Sequence, residues 1–452
     1  MQISAELIKK YNHQAPRYTS YPTVPLWENN LDTNDWDDLV KKAFQDFGVE
    51  EGISIYIHLP FCESLCTYCG CNKRITKNNN VKAPYIQALL AEWKKYTDLF
   101  HEKPKIAGIH LGGGTPTFFD PNHLYDLISS ILKDSERMSH AEFSFEGHPN
   151  NTSYAHLQTL KDLGFDRVSY GIQDFDLQVQ KAIHRIQPLE NVKYATDSAR
   201  ILGYTSINFD LIYGLPHQTL ETMDDTFSKV RELRPDRIAF YSYAHLPSAF
   251  PSQKSFEQFL PSEEGKRELY ERGKALLIEM GYEEVGMDHF ALPNDPLCTA
   301  KIEGTLHRNF MGYTTLPAKL LIGLGASSIS DIYYAYAQNE KGIEKYQSEA
   351  LKTNWTLQKG HKLSALDIQI RRIILDLICK KQAEIPVEIW EKFTETQIWN
   401  LQEMEQDRLI SIGNSSIKVS EEGMSFVRHI CAQIDIRLAE NQTKKVLFSK
   451  TI

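Results

Sequence analysis

Four cysteines fall within ten residues, in the run Cys62-Glu-Ser-Leu-Cys66-Thr-Tyr68-Cys69-Gly70-Cys71. Thiolates on a short irregular loop converge when the intervening side chains point outward, so Cys62, Cys66 and Cys69, separated by three and then two residues, can wrap three corners of one compact cubane. An iron–sulfur cluster normally takes four cysteines. Three ligands leave one iron open to a small molecule. Cys71, with a single residue between it and Cys69, is expected to point away and to take a supporting or substrate-side role. Zinc is the competing metal, but structural zinc generally uses two separated ligand pairs at tetrahedral geometry. No second Cys-x2-Cys or His-x3-His pair occurs. Cys298, Cys379 and Cys431 are isolated and read as small core residues.

Two other features carry chemistry less specifically. In Leu111-Gly112-Gly113-Gly114-Thr115-Pro116-Thr117, Gly113 and Gly114 allow a backbone to approach a ligand closely, and Thr115 adds a hydroxyl. A glycine run by itself is just as often a tight turn. Glu146 is an acceptor suited to an amine or ribose hydroxyls; alone, it equally suits a surface ion pair.

The elements that must hold these residues are legible as a rhythm. β-rich runs at Ile53 to His58, Ile106 to Leu111, Ala141 to Phe145, Arg167 to Gly171, Ser206 to Ile212 and Arg237 to Tyr243 alternate with helix-period segments. The latter are Ala83 to Phe100, Leu124 to Leu132, Tyr154 to Leu163, Leu189 to Leu202 and Leu220 to Leu233. Six strand–helix units imply an α/β fold with a parallel sheet and right-handed crossovers. Polar or glycine-rich clusters follow the strands, which favours a barrel with its site at the carboxyl-end rim; open sheets also bind ligands there. Residues 1–50 read as an arm with three prolines and one amphipathic helix, and 51–360 as the barrel with accessory elements. Residues 361–452 read as a mainly helical, winged-helix-like unit with a hairpin around Asn414-Ser415; its 13 Lys/Arg balance 13 Asp/Glu.

Composition excludes several classes. The 452 residues are 42% hydrophobic and 24% charged, as in a globular protein. A net charge of -9 argues against a general nucleic-acid binder, which needs a basic footprint. No apolar span of about 18 residues suggests membrane insertion, and the first residues lack the features of a secretory or transit leader. Seven cysteines, four of them clustered, do not form a disulfide framework. A cytoplasmic location is expected.

The Cys-x3-Cys-x2-Cys loop after a first strand resembles that of the radical S-adenosylmethionine superfamily. The resemblance implies a 4Fe-4S cluster whose open iron chelates the amino and carboxylate groups of S-adenosylmethionine. Cleavage then gives a 5′-deoxyadenosyl radical, so that the hard chemistry belongs to the cofactor and no protein residue is named as catalytic. More specific segments are Pro16-Arg17-Tyr18-Thr19-Ser20-Tyr21-Pro22-Thr23, Cys69-Gly70-Cys71-Asn72-Lys73, Gly171-Ile-Gln173-Asp174-Phe175, Asn208-Phe-Asp210-Leu-Ile-Tyr-Gly-Leu-Pro216, Tyr243-Ala244-His245-Leu-Pro247, Gly286-Met-Asp288-His289-Phe290 and His307-Arg308-Asn309-Phe310. Together they resemble the oxygen-independent coproporphyrinogen III oxidase family from about residue 8 to the C-terminus.

That likeness implies a partial (β/α)6 TIM-like barrel, a flexible N-terminal arm, a helical C-terminal domain and two S-adenosylmethionine molecules. Carried over by position, Tyr56, Gly113 and Glu146 would contact the first. Tyr68, Gly114, Thr115, Gln173, Arg185, Asp210 and Ala244 would line the second, and Phe310 and Ile329 would close the pocket toward substrate. The sequence departs from the best-known members at Met311, where they carry Gln, at Leu316 to Leu320 and at Gly147-His148. Met311 cannot replace the hydrogen bonds of an amide.

The implied reaction is oxidative decarboxylation of two propionates of coproporphyrinogen III to vinyls, in a monomer served by a flavodoxin- or ferredoxin-like electron donor and an electron acceptor. A substrate with four carboxylates needs cations; Arg17, Arg185 and Arg308 suit by chemistry. Arg17, in the arm, could gate entry. A methyl or methylene transferase of the same fold and a non-catalytic haem-handling protein are the competing readings.

Overall fold

The computed structural model of the protein describes residues 4–316, 318–441 and 448. The six expected runs form strands β1 (Ile53–Leu59), β2 (Lys105–Gly113), β3 (Glu136–Gly147), β4 (Arg167–Gln173), β5 (Ser206–Tyr213) and β6 (Arg237–Ser242), each parallel to the next. Helices Lys82–Leu99, Pro121–Lys133, Tyr154–Asp162, Leu189–Ile201 and Leu220–Leu233 connect them. Three of these starts are set by side-chain caps: Asp120 accepts from the His123 N–H, while Ser153 and Thr219 form capping boxes.

The structure adds what the rhythm did not show. Downstream of β6 come β7 (Glu283–Gly286), β8 (His289–Ala291), the hairpin β9 (His307–Asn309) and β10 (Gly312–Thr314), then β11 (Leu321–Leu324), β12 (Ile329–Asp331), β13 (Ala335–Asn339) and β14 (Leu357–Lys362). β11 is a seventh parallel strand, inserted beside β1 with Ser54 opposite Leu321. Antiparallel strands then extend both edges, giving the order β14-β13-β12-β11-β1-β2-β3-β4-β5-β6-β8-β7.

Register decides which side chains meet. In parallel neighbours, residues at one level share a face, so Tyr56, His110, Ser144, Arg167 and Ser206 form one rung. Glu146, Ser169, Asn208 and Arg237 form the next rung toward the carboxyl ends. The alternate residues, including Ile55, Ile109, Phe143, Phe145, Val168, Ile207 and Phe209, are buried in the main core. Members of both rungs line a single cavity of about 190 Å³, which requires the sheet to curl around it. A barrel interior this polar is a cavity rather than a packed core.

A second core joins the C-terminal region to the arm. Helix Ala365–Lys380, a three-stranded antiparallel sheet (Gln382–Glu384, Ile410–Ile412 and Ser416–Val419) and helices Glu395–Gln406 and Val427–Ile434 enclose Tyr11, Tyr18 and Tyr21. The Tyr18 hydroxyl donates to Asp435 at 3.1 Å, and Arg428 donates to the Pro16 carbonyl at 3.2 Å. The arm, expected to be flexible, is pinned at these points. Among the described residues no helix is long and apolar enough to cross a membrane.

Candidate active site

The cysteine loop leaves the carboxyl end of β1 and is tied down at both ends. The Arg74 N–H donates to the Pro60 carbonyl at 2.7 Å and the Thr76 N–H to the Cys62 carbonyl at 2.9 Å. His58 bonds Tyr56 through Nδ1 at 3.0 Å and the Asn72 carbonyl through Nε2 at 2.9 Å, joining the strand to the loop's exit. The glycine run packs beneath. Gly114 donates to the Leu59 carbonyl, and a Cβ on it would stand 2.7 Å from the Pro60 carbonyl carbon and 3.0 Å from Cys62 Sγ. Only glycine permits that approach.

Cys62, Cys66 and Cys69 line one cleft of about 640 Å³ over the carboxyl ends of the strands. Thr115 Oγ1 donates to Cys62 Sγ and Arg185 Nη1 to Cys66 Sγ, both at 3.4 Å. Burial pushes the Cys62 thiol up, while Cys71 and then Lys73 bring Cys69 down to about 6. Cys71 does not point away as expected: it lines the same cleft and bonds Cys69. Among the described residues no three His, Cys, Asp or Glu side chains converge as a single metal ion requires. Three thiols spaced around a roomy cleft, with donors aimed at two of the sulfurs, do fit a cubane, whose irons present separate corners.

Glu146 stands across from the glycine run, accepting from the Gly113 N–H at 3.2 Å, with His110 Nε2 3.6 Å away. Burial works to raise its pKa, but His110, the Gly113 N–H and His58 together hold the carboxyl below its ordinary range. Asp210 receives hydrogen bonds from Asn208 at 2.9 Å and Ser169 at 3.3 Å. Burial and the neighbouring Glu146 charge nevertheless lift it to about 7. Arg185 is committed: Nε and Nη2 donate to the Gly171 carbonyl at 3.0 and 2.6 Å. Gln173 takes a left-handed φ of 69° where β4 bulges against β5, which re-aims its side chain.

Of the residues singled out in the sequence, Tyr68, Gly113, Gly114, Thr115, Glu146, Gln173, Arg185 and Asp210 line the cleft with the three cysteines. Four do not line it. Tyr56 lies on β1 with its ring 5.9 Å from His110. Ala244 offers its carbonyl to Gln253, which also reaches the Tyr68 carbonyl. Phe310 packs edge-on against Tyr336 at 5.9 Å, and the backbone of Ile329 crosses closely over Gly323. Neither Phe310 nor Ile329 lines the inner cavity, whereas Met311 and Leu316 do. Sequence reading missed His110, Ser144, Ser169 and Asn208. Their signal was a polar residue at every second position of otherwise apolar strands.

Ser169, Glu146, Asp210 and Tyr241 line both the cleft and the inner cavity, so the two spaces meet at that level. The cysteine-lined cleft thus opens inward onto a polar chamber.

The Radical SAM superfamily profile matches residues 56–230. The chain is 37% identical over 445 residues to oxygen-independent coproporphyrinogen III oxidase of Pseudomonas aeruginosa, covering 95% of each chain. It is 36% identical to the enzyme of that name from Escherichia coli, covering 99% of this chain and 98% of the other. The solved structure of the Escherichia coli coproporphyrinogen III oxidase, described as a radical SAM enzyme, superposes with a TM-score of 0.87 at 34% identity, over 96% of this chain and 99% of that one. With its cysteine loop, glycine run and strand-end cleft in place, the chain belongs to the oxygen-independent coproporphyrinogen III oxidase family of radical S-adenosylmethionine enzymes, which use that cofactor with a 4Fe-4S cluster.

Proposed function

We propose that the protein catalyses the oxygen-independent oxidative decarboxylation of two propionates of coproporphyrinogen III to vinyls, giving protoporphyrinogen IX. The observation that carries this reading is the cleft lined by Cys62, Cys66 and Cys69 opening directly onto a polar cavity inside the sheet. Bound there, cluster and S-adenosylmethionine would supply a carbon radical able to remove a hydrogen atom from the carbon β to a propionate carboxylate. A flavodoxin- or ferredoxin-like donor and an electron acceptor complete the electron balance.

The chain's own residues divide the remaining work. Cys62, Cys66 and Cys69 hold the cluster, and Thr115 and Arg185 donate to two of its sulfur ligands. On one side Glu146, kept ionised beside Gly113 and His110, accepts from a cationic amine. On the other, Tyr68, Gln173, Arg185 and Asp210 form a second group of contacts, which supports a seat for a second S-adenosylmethionine. His148 also lines the cleft; burial and Arg185 hold it down to about 2, so it stays neutral and adds no charge.

Anaerobic reconstitution with iron and sulfide, followed by assay with coproporphyrinogen III, tests the reading. Vinyl product with 5′-deoxyadenosine is expected. Methylated product with S-adenosylhomocysteine would replace it with a transferase, and a Cys66→Ala protein that keeps a full cubane would overturn the ligand assignment.

A further inference from the structure

Three arginines suited the substrate's carboxylates by chemistry, and their surroundings separate them. Arg17 is spent on Asp288 at 2.9 Å, and Arg185 on the Gly171 carbonyl and Cys66. Arg308 is different. Its side chain is 5% exposed, yet Nε and Nη1 have no hydrogen-bond partner. The guanidinium lies 4.9 Å from the ring centre of Tyr313, its register partner across the β9–β10 hairpin, so both side chains leave the same face. The Tyr313 hydroxyl is also buried without a partner, as is Nδ1 of His289, whose ring is 5.2 Å from that of Tyr313. Three neighbouring side chains therefore carry four orphaned polar atoms.

An unpaired guanidinium cannot escape its burial cost by losing a proton. Water would satisfy the dipoles but leave the charge. The neighbouring carboxylates already have cationic partners: Asp288 pairs with Arg17, Asp295 with Arg237 at 2.6 Å and Glu284 with Lys274 at 2.7 Å. His289 and Tyr313 line the inner cavity; Arg308 is not itself a lining residue but stacks on Tyr313. An anion that enters through that cavity and reaches past Tyr313 would supply the missing partner.

We propose that Arg308, His289 and Tyr313 form a carboxylate subsite that receives one propionate of the macrocyclic substrate. The inference rests on the function proposed above and adds to it a group that anchors the substrate. Arg308 offers unpaired N–H donors at Nε and Nη1, on two edges of the guanidinium, either of which makes a charge-assisted bond to a carboxylate oxygen, and the Tyr313 hydroxyl offers another donor. Burial, and then Arg308, hold His289 down to about 3; the imidazole is neutral and does not add to the local positive charge.

The test compares wild type, Arg308→Gln and Arg308→Lys as reconstituted holoenzymes. The readouts are KM for coproporphyrinogen III, 5′-deoxyadenosine formed with reductant but no substrate, and melting temperature without substrate. Losing a charge-assisted pair predicts a rise in KM of about 10- to 100-fold for Arg308→Gln, with iron content and substrate-free cleavage unchanged. Removing an uncompensated buried cation leaves the melting temperature equal or higher. Arg308→Lys keeps the charge but replaces the planar guanidinium with a compact ammonium, so its KM falls between the two; it also serves should the Gln variant not fold. Wild-type turnover together with a wild-type KM in either variant overturns the subsite alone, as does a lower melting temperature with no change in KM. A wild-type protein that cleaves S-adenosylmethionine but leaves coproporphyrinogen III untouched overturns the subsite and the proposed function together.

Discussion

Asp210 sits where cleft and inner cavity meet, and its replacement by Asn should change how cofactor uptake responds to pH. Burial and the Glu146 charge raise its carboxyl to about 7, against the Asn208 and Ser169 donors. Near neutral pH it is therefore divided between two forms, and a sulfonium cation favours the ionised one. The apparent dissociation constant scales with the inverse of the ionised fraction, which falls roughly tenfold between about pH 8 and about pH 6. Equilibrium dialysis of labelled S-adenosylmethionine against anaerobically reconstituted protein would show this loss in the class of sites that includes Asp210. Asp210→Asn holds that class at its weak, low-pH affinity and removes the slope. A wild-type profile that is flat over this range, or a variant profile as steep as the wild type, would refute the placement of Asp210 against a cation.

Other residues give independent checks. Thr115→Val removes the donor 3.4 Å from Cys62 Sγ; because hydrogen bonds to cluster sulfurs favour the reduced state, the midpoint potential should become more negative in an anaerobic titration followed by electron paramagnetic resonance. Gly114→Ala places a methyl 2.7 Å from the Pro60 backbone, an overpacking that costs about 1–3 kcal/mol and should appear as lower iron retention after desalting. Glu92 is 1% exposed and burial raises it from 4.5 to about 7, despite donors from Gly325, Asn339 and Tyr346. Its folded value exceeds its unfolded one, so its stabilisation is complete below about 4.5 and is lost as pH climbs through about 7. Glu92→Gln should flatten the fall in unfolding free energy across that window by on the order of 3 kcal/mol in urea titrations; an unchanged slope would show that Glu92 is not protonated there.

How far the sequence carries is visible residue by residue. The runs from Ile53 and Ser206 alternate apolar residues at a period of two, and helix Leu220–Leu233 begins behind Thr219 and matches its expected bounds. β11 escaped notice because its four residues carry no helix behind them, and it reaches β1 only after a long excursion through β7 to β10. Arg308, Arg17 and Arg185 look equivalent as letters. Asp288, 271 residues from Arg17, and Cys66, 119 residues from Arg185, make the difference.

The cysteine loop was legible in the amino-acid order alone, because thiols three and four residues apart are held together by the chain itself. Which groups surround that loop depended on the register of parallel strands. Register puts Glu146 beside Ser169 and Asn208 beside Arg237, turns polar alternation into a chamber, and leaves Arg308, stacked on the chamber-lining Tyr313, without hydrogen-bond partners at Nε and Nη1. Those contacts join residues far apart along the chain, and they exist only once the hydrophobic faces of the strands have chosen their neighbours.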